Sequence, residues 1–330
     1  MARIAIAGAG FAGLTALQPL AAAGHQVTVF DKARGPGGRL ASKKVNDASW
    51  DMGAQFMRAH SAQFAAQLHD WAAQGLISEW NVEPCIYRDG QLQPSPDKVR
   101  RYCADPRMNA LSRHLLQSAA GFISETRLTH SHYDGRHWTL TDEQHNSHGP
   151  FDALLLNMPP QQALPLCPDI HDWHTRLQQV DMLPSWTLLL SLSQPLSAMA
   201  DAVFVEEGAL RWIARDSSKK GRIGTAETWV LQASHGWSRL HADSPRHEVQ
   251  QALLQAFSAI AGSRVPVQET WLHRWLYATP ANPLGCGALS DKSHKLALCG
   301  DWCHSASLEG AWLSGHHAAR ELLTILAADC

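Results

Sequence analysis

The first apolar run, Arg3-Ile4-Ala5-Ile6-Ala7, is short and apolar at successive positions, which predicts a buried strand of a parallel sheet. Gly8-Ala9-Gly10-Phe11-Ala12-Gly13 follows at once, then a helical stretch to about Ala23, a stop at Gly24 and a second strand, Gln26-Val27-Thr28-Val29-Phe30, closed by Asp31. Similar runs return late in the chain. Ala153-Leu154-Leu155-Leu156 reads as a buried strand entering the turn Asn157-Met158-Pro159-Pro160, and Lys295–Cys299 as a strand entering Gly300-Asp301. Ser307 to about Ala328 reads as a final helix. Between these ends the pattern changes. Trp186–Leu192 and Thr228–Ala233 read as strands of a mixed or antiparallel sheet, and Gln250–Ala261 as a helix with Leu253, Leu254, Phe257 and Ile260 on one face. One residue fits badly: Pro19 lies inside the first helix, where a proline costs about 3 kcal/mol, so a kink or a late helix start is expected.

Composition adds bounds. With 330 residues, 45% of them hydrophobic, the chain can bury a large core, and its length suggests two domains. A net charge of −2, from 28 basic and 30 acidic residues, leaves no electrostatic footprint for nucleic acid or an anionic membrane. No apolar run approaches the roughly 20 residues of a membrane span. Arg3, the apolar stretch and Ala21-Ala22-Ala23 resemble a secretory signal, but the glycines at 8, 10 and 13 weaken a helical core there. The seven cysteines (85, 103, 167, 286, 299, 303 and 330) are odd in number and irregular in spacing, which favours a reducing, cytoplasmic setting over a disulfide framework. Cys299, Cys303 and His304 lack further ligands, so no metal is expected.

The chemistry begins at the glycines. Gly8 permits a tight turn, Gly10 leaves no side chain to hold off a pyrophosphate, and Gly13 lets the helix pack closely on the strand. Phosphates then meet N–H groups at the helix start, and Asp31 can accept from ribose hydroxyls. This fingerprint suits NAD or FAD. Gly35-Pro36-Gly37-Gly38-Arg39 adds a second flexible backbone and a fork of donors for the other side of the diphosphate.

That segment and Asp51-Met52-Gly53-Ala54-Gln55-Phe56 resemble the second glycine motif and the following segment of the amine-oxidase-like flavoproteins, where both line FAD. The resemblance extends to Arg127-Leu128 with Trp138-Thr139-Leu140 as a hairpin, to the strand and turn at 153–160, to Gly300-Asp301 at the ribityl-phosphate, and to Glu309-Gly310-Ala311 opening the last helix. A helix N-terminus stabilises the negative edge of a reduced flavin by about 0.3–2 kcal/mol. More narrowly, Gly24-His25-Gln26-Val27, Phe30-Asp31-Lys32, His273-Arg274-Trp275-Leu276-Tyr277-Ala278, Cys299-Gly300-Asp301-Trp302-Cys303 and Glu309–Gly315 resemble the bacterial renalases over essentially the whole chain.

The resemblance implies an α/β fold: a Rossmann-type FAD-binding domain over 1–80, 105–161 and 276–330, and an α+β substrate domain over 81–104 and 162–275. It implies non-covalent FAD held by Gly8, Gly10, Phe11, Ala12, Gly13, Asp31, Lys32, Gly38, Arg39, Met52, Gly53, Ala54, Gln55, Leu128, Gly300, Asp301, Glu309, Gly310 and Ala311. The implied reaction is oxidation of 2- or 6-dihydro isomers of NAD(P)H to NAD(P)+, with dioxygen reduced to hydrogen peroxide. The partners are then a small-molecule dinucleotide and dioxygen. No catalytic acid or base is expected, because the dihydropyridine expels hydride as its ring regains aromaticity. Positioning and exclusion of water suffice.

Two other readings compete. A flavin amine oxidase or desaturase usually carries a lysine near the flavin and an aromatic pair, yet Trp271-Leu272-His273-Arg274-Trp275 has no lysine and no tyrosine follows Tyr277. A flavin-binding protein without turnover is the third. For the substrate, Gln55, Ser95, Trp186, Arg274, Trp275, Tyr277, Trp302 and Trp312 are candidates; for the thirteen tryptophans generally, core packing competes with substrate stacking. Arg274 reads equally as a phosphate partner or a structural ion pair. The polar loop Gln93–Arg101 reads as a lid or as a solvated connection.

Overall fold

A computed structural model describes every residue except Asp47, Ile223, Thr225, Asp329 and Cys330. Cys330 therefore lies outside the described residues; the other six cysteines are free thiols. The fold is mixed α/β, and the chain forms two compact units. The first contains residues 1–39, 112–182 and 279–330, the second residues 40–111 and 183–278. These bounds differ from the expected ones at four segments, 40–80, 105–111, 162–182 and 276–278, of which two are long. Residues 40–80 join the second unit, because Trp50 Nε1 donates to Leu190 O at 2.7 Å and Asp51 sits among charges at 216–222. Residues 162–182 join the first, where Ser131 Oγ donates to Leu166 O at 2.6 Å and Gln161 Nε2 to Val180 O at 2.9 Å.

The first unit is built on a six-stranded sheet in the order Leu289–Asp291, Leu296–Leu298, Ala153–Leu156, Arg3–Ala7, Gln26–Phe30, Gly121–Ile123. All neighbours are parallel except the Leu289–Asp291 edge. The central strands are buried on both faces, as their unbroken apolar runs require. The helices Phe11–Ala22 and Leu308–Ala327 pack on each other so closely that a Cβ on Gly315 would lie 2.2 Å from Ala12 O. The first helix starts at Phe11 and runs through Pro19, so the expected late start is corrected. Proline removes one donor from the ladder without ending the helix. The expected hairpin is two strands of a separate antiparallel sheet: Leu128–Tyr133, Trp138–Asp142 and Ser147–Phe151.

The second unit has a seven-stranded mixed sheet in the order Val267–Pro280, Met182–Leu192, Glu227–Ala233, Leu210–Arg215, Ala202–Val205, Cys85–Arg88, Gln91–Pro94. Pairing is antiparallel between Met182–Leu192, Glu227–Ala233 and Leu210–Arg215, and parallel between Ala202–Val205 and Cys85–Arg88. Helix Arg246–Ala261 turns Val249, Leu253, Phe257 and Ile260 into a core with Trp186, Leu188, Leu190, Trp229 and Leu231. The three- and four-residue spacing of those positions is the period of one helix face, although Leu254 is only partly buried.

Candidate cofactor site

The nucleotide fingerprint closes as a tight turn. Gly8 has φ +102°, its N–H donates to Phe30 O at 2.8 Å, and an added Cβ would stand 2.2 Å from Asn157 O. Gly13 is tight for a different reason than expected. Its missing Cβ makes room for the Asn157 side chain, whose Nδ2 would be 2.5 Å away. Asn157 Nδ2 donates to Gly8 O at 3.1 Å and Gly10 O at 3.0 Å, so one amide group clamps the loop from the end of the neighbouring strand. The sequence placed Asn157 in a strand-end turn but not at the site. Its only signal was position, at the end of a parallel strand where ligands gather.

The second glycine segment lies alongside the first. Gly37 N–H donates to Ala9 O at 2.8 Å, and a Cβ on Gly38 would meet Gly10 Cα at 3.4 Å. Together the two turns form a strip of backbone without side chains. The first helical bond runs from Leu14 N–H to Gly10 O, which leaves the N–H groups of Ala12 and Gly13 ahead of the ladder, where a phosphate can meet them. Asp31 accepts from Ala9 N–H and Ala33 N–H, each at 2.7 Å. Burial raises its carboxyl pKa, while those N–H groups oppose the shift. Lys32 is exposed and donates to Gln162 Oε1 at 3.3 Å.

Arg39 and Asp301 form a bidentate pair, both bonds at 2.6 Å. The expected fork toward a diphosphate is therefore corrected in part: two of its donors hold Asp301. Burial disfavours the Arg39 charge, but the Asp301 carboxylate outweighs it and raises the guanidinium pKa. Gly300 precedes the pair with Trp302 packed against it, 2.6 Å from where a Cβ would stand. At the last helix, Ser307 caps the N-terminus through Gly310 N–H at 2.9 Å, and the next turn carries buried Glu309, Gly310 and Ala311. Two side-chain-free turns, a ribose-height carboxylate and a helix start fit a dinucleotide such as FAD. Leu128 is partly buried at the start of its hairpin strand.

In the second unit, Met52, Gly53 and Ala54 are partly buried, and Gly53 O accepts from Gln55 Nε2 at 3.0 Å and from Gln232 Nε2 at 2.6 Å. Beneath this loop lies a group no pattern predicted. Lys219 Nζ bonds Asp216 at 2.7 Å, Gln55 Oε1 at 3.1 Å and Asp51 at 3.3 Å, and Arg222 pairs with Asp51. Lys219, Asp51 and Asp216 have no exposed side-chain surface. Burial would raise the Asp51 pKa, but Lys219 and Arg222 lower it, while Asp216 and Asp51 raise the pKa of both cations against the effect of burial.

Several expected substrate residues are elsewhere engaged. Gln55 is buried, with its amide spent on Asp51 O, Gly53 O and Lys219. Trp186 is a core residue donating to His241 O at 3.0 Å. Trp302 is buried and donates to Met158 O at 3.0 Å. Each ring carries one indole donor, and a buried donor must find a carbonyl, which turns these side chains inward. Arg274 donates to Ala242 O, lies 3.7 Å from Asp243 and stacks over Trp186, so the structural ion pair is the arrangement found. Trp275 is partly buried, donating to Met52 O at 3.2 Å, and Tyr277 is partly buried. Trp312 is buried on the last helix, edge-on to His316. Ser95 is buried and caps Asp97 N–H, and Asp97 in turn pairs with buried Arg101 at 2.5 Å, so the 93–101 loop is tied down. Among the described residues, no group of three or more His, Cys, Asp or Glu is gathered to hold a metal, and no helix is long and apolar enough to cross a membrane.

Comparison with known proteins follows this geometry. Residues 6–71 match a NAD(P)-binding Rossmann-like domain, and residues 85–323, well over half the chain, match the flavin containing amine oxidoreductase family. The chain belongs to that family. FAD is accordingly its cofactor, and flavin-dependent oxidoreduction its chemistry. Among curated family relatives, a 4,4'-diapophytoene desaturase of Staphylococcus haemolyticus is 50% identical over 50 residues, which is 15% of this chain and 10% of that one. The L-amino acid oxidase Bs29 of Bothriechis schlegelii is 26% identical over 141 residues, 39% of this chain and 28% of that one. The matches thus span under a third of either relative. Solved structures share the fold nearly end to end. A protein of Exiguobacterium sp. 255-15 provisionally named a protoporphyrinogen oxidase has TM-score 0.78 at 14% identity and 99% coverage of both chains. Putrescine oxidase has TM-score 0.76 at 11% identity, covering 98% of this chain and 99% of the other.

Proposed function

We propose that this flavoprotein is an oxidase of 2- or 6-dihydro isomers of NAD(P)H, as the renalase-like motifs imply. The observation that carries the reading is the state of Lys219. Its Nζ is held by two carboxylates and an amide oxygen and has no exposed surface, so it is not free to accept a substrate proton. A substrate that expels its own hydride needs no such base, whereas amine oxidation gains from one. The glycine turns, Asp31 and the Arg39–Asp301 pair of the first unit would hold the dinucleotide of FAD, with Asn157 fixing the loop. When bound, FAD accepts a hydride and passes the electron pair to dioxygen. In the second unit Trp275 and Tyr277, partly buried, are the remaining candidates for orienting a nicotinamide.

Amine oxidation or desaturation is the second reading, favoured by the curated desaturases and L-amino acid oxidases. Anaerobic mixing of the yellow holoprotein with 2- and 6-dihydro-NAD(P), ordinary 4-dihydro-NAD(P)H and a panel of amines separates them. Rapid bleaching of the flavin band by the 2- or 6-dihydro isomers is expected. Bleaching by amines alone would transfer the assignment to the second reading, and no bleaching by any of them would point to a desaturase or a flavin protein without turnover.

A further inference from the structure

The first unit carries a pair of cysteines that cofactor binding does not use. Cys286 is exposed at a sharp turn between Gly285, φ +67°, and Gly287, φ +80°. The turn is fixed: a Cβ on Gly287 would come 2.0 Å from His317 Nδ1. Cys286 N–H and Gly287 N–H both donate to Cys303 O, at 2.9 and 3.0 Å. The two residues are therefore joined by a direct backbone hydrogen bond, the kind of close approach a disulfide needs. Each thiol influences the other's titration, Arg176 bears on that of Cys286, and Cys303 Sγ donates to Leu298 O at 3.7 Å.

We propose that Cys286 and Cys303 form a peroxide-oxidisable thiol pair, with Cys286 the attacking sulfur and Cys303 the resolving one. The two sulfurs differ in the needed direction. The neighbouring Cys303 thiol, helped by Arg176 and opposed by burial, lowers the Cys286 pKa to about 6, so the thiolate prevails at neutral pH. Burial and the neighbouring sulfur raise Cys303 well above its ordinary value and keep its proton. The other described thiols lack this combination: Cys103 and Cys299 are buried, while burial raises the pKa of partly buried Cys85 and Cys167.

The oxidant is a small hydroperoxide. The Cys286 thiolate attacks one peroxide oxygen, the O–O bond breaks, and hydroxide leaves to be protonated to water, giving a sulfenic acid. Cys303 then attacks that sulfur, the S–O bond breaks, and the thiol proton leaves with the hydroxyl as a second water. Two thiols lose two electrons and the peroxide gains them. The product clips the 285–287 turn to the 300–303 turn, which also carries Asp301. The pair stands whether or not the enzyme's own substrate is a dihydronicotinamide.

The test uses the full-length holoprotein, reduced, freed of reductant and titrated with hydrogen peroxide at neutral pH. Peptide mass spectrometry without reduction should find a cross-link joining the Cys286 and Cys303 peptides with loss of two hydrogens, fragment spectra separating Cys303 from Cys299. C286S should abolish the cross-link and slow thiol loss at least about tenfold. C303S should leave a Cys286 sulfenic acid that dimedone traps. Oxidation of wild type to a Cys286 sulfinic acid with Cys303 still alkylatable, or thiol loss at an unchanged rate in C286S, would overturn the proposal.

Discussion

Asp301 and Asp51 are both nearly or wholly buried carboxylates facing an arginine, yet they are built for different ends. Asp301 meets one guanidinium whose side chain stays one-third exposed, 33% against 7% for the carboxylate. Asp51 meets Arg222 and Lys219, accepts from Met108 N–H at 2.9 Å and Ser42 Oγ at 3.0 Å, and has no exposed surface. The first pair keeps an open side beside two bare glycine turns, and can still serve a ligand. The second is closed, its carboxylate held between two cations, and fixes the loop that carries Gly53 and Gln55. A perturbed ionisable group marks function only where something can reach it.

The comparison breaks most readily at Lys219. Lys219→Met leaves two buried carboxylates facing one arginine, and should cost about 3–5 kcal/mol in urea unfolding. A loss below about 1 kcal/mol would show that the amine is not structural and make it a candidate base. Asp301→Asn should act more gently on the fold, by about 1–3 kcal/mol, because Arg39 keeps access to water. Its larger effect should fall on FAD retention, read as free flavin fluorescence after gel filtration; full retention would remove the pair from the cofactor site.

A carboxylate held by backbone N–H groups and a histidine sharpens the contrast. Asp142 accepts from Gln144 N–H and Asn146 N–H at 2.9 Å each, and from His148 at 3.0 Å. The His148 bond foremost lowers its pKa to about 2, below the unfolded value of about 3.9. Its contribution is therefore present above about pH 4 and lost as pH falls through about 2. Asp142→Asn should flatten that part of the acid-unfolding profile and lower stability near neutrality, by less than Lys219→Met does. An unaltered profile would mean that the turn tolerates protonation.

What could be read in the sequence was what local pattern determines. The glycine turn, its flanking strands and the final helix depend on neighbours a few residues away, and appear at the expected positions. The closed cluster does not. Ser217-Ser218-Lys219-Lys220-Gly221-Arg222 carries no apolar side chain, and its burial rests on partners far along the chain such as Asp51, 168 residues away from Lys219. Asn157 stayed hidden because a strand-end asparagine has many uses. For Trp186 and Trp302, residue type gave ring size but not direction, which the search for a carbonyl by each indole N–H decided.

The chain crosses between its two units four times, at residues 39, 111, 182 and 278. That threading sets a schedule for synthesis. The strand Leu296–Leu298, which pairs with Ala153–Leu156 inside the main sheet, and the helix that packs on Phe11–Ala22 leave the ribosome only after the whole second unit has been made. Domains usually assemble as they emerge, N-terminal part first. Here the nucleotide fold begun by residues 1–39 waits for the segment from residue 279 onward, so the nascent chain must hold an unfinished sheet edge while the second unit is made.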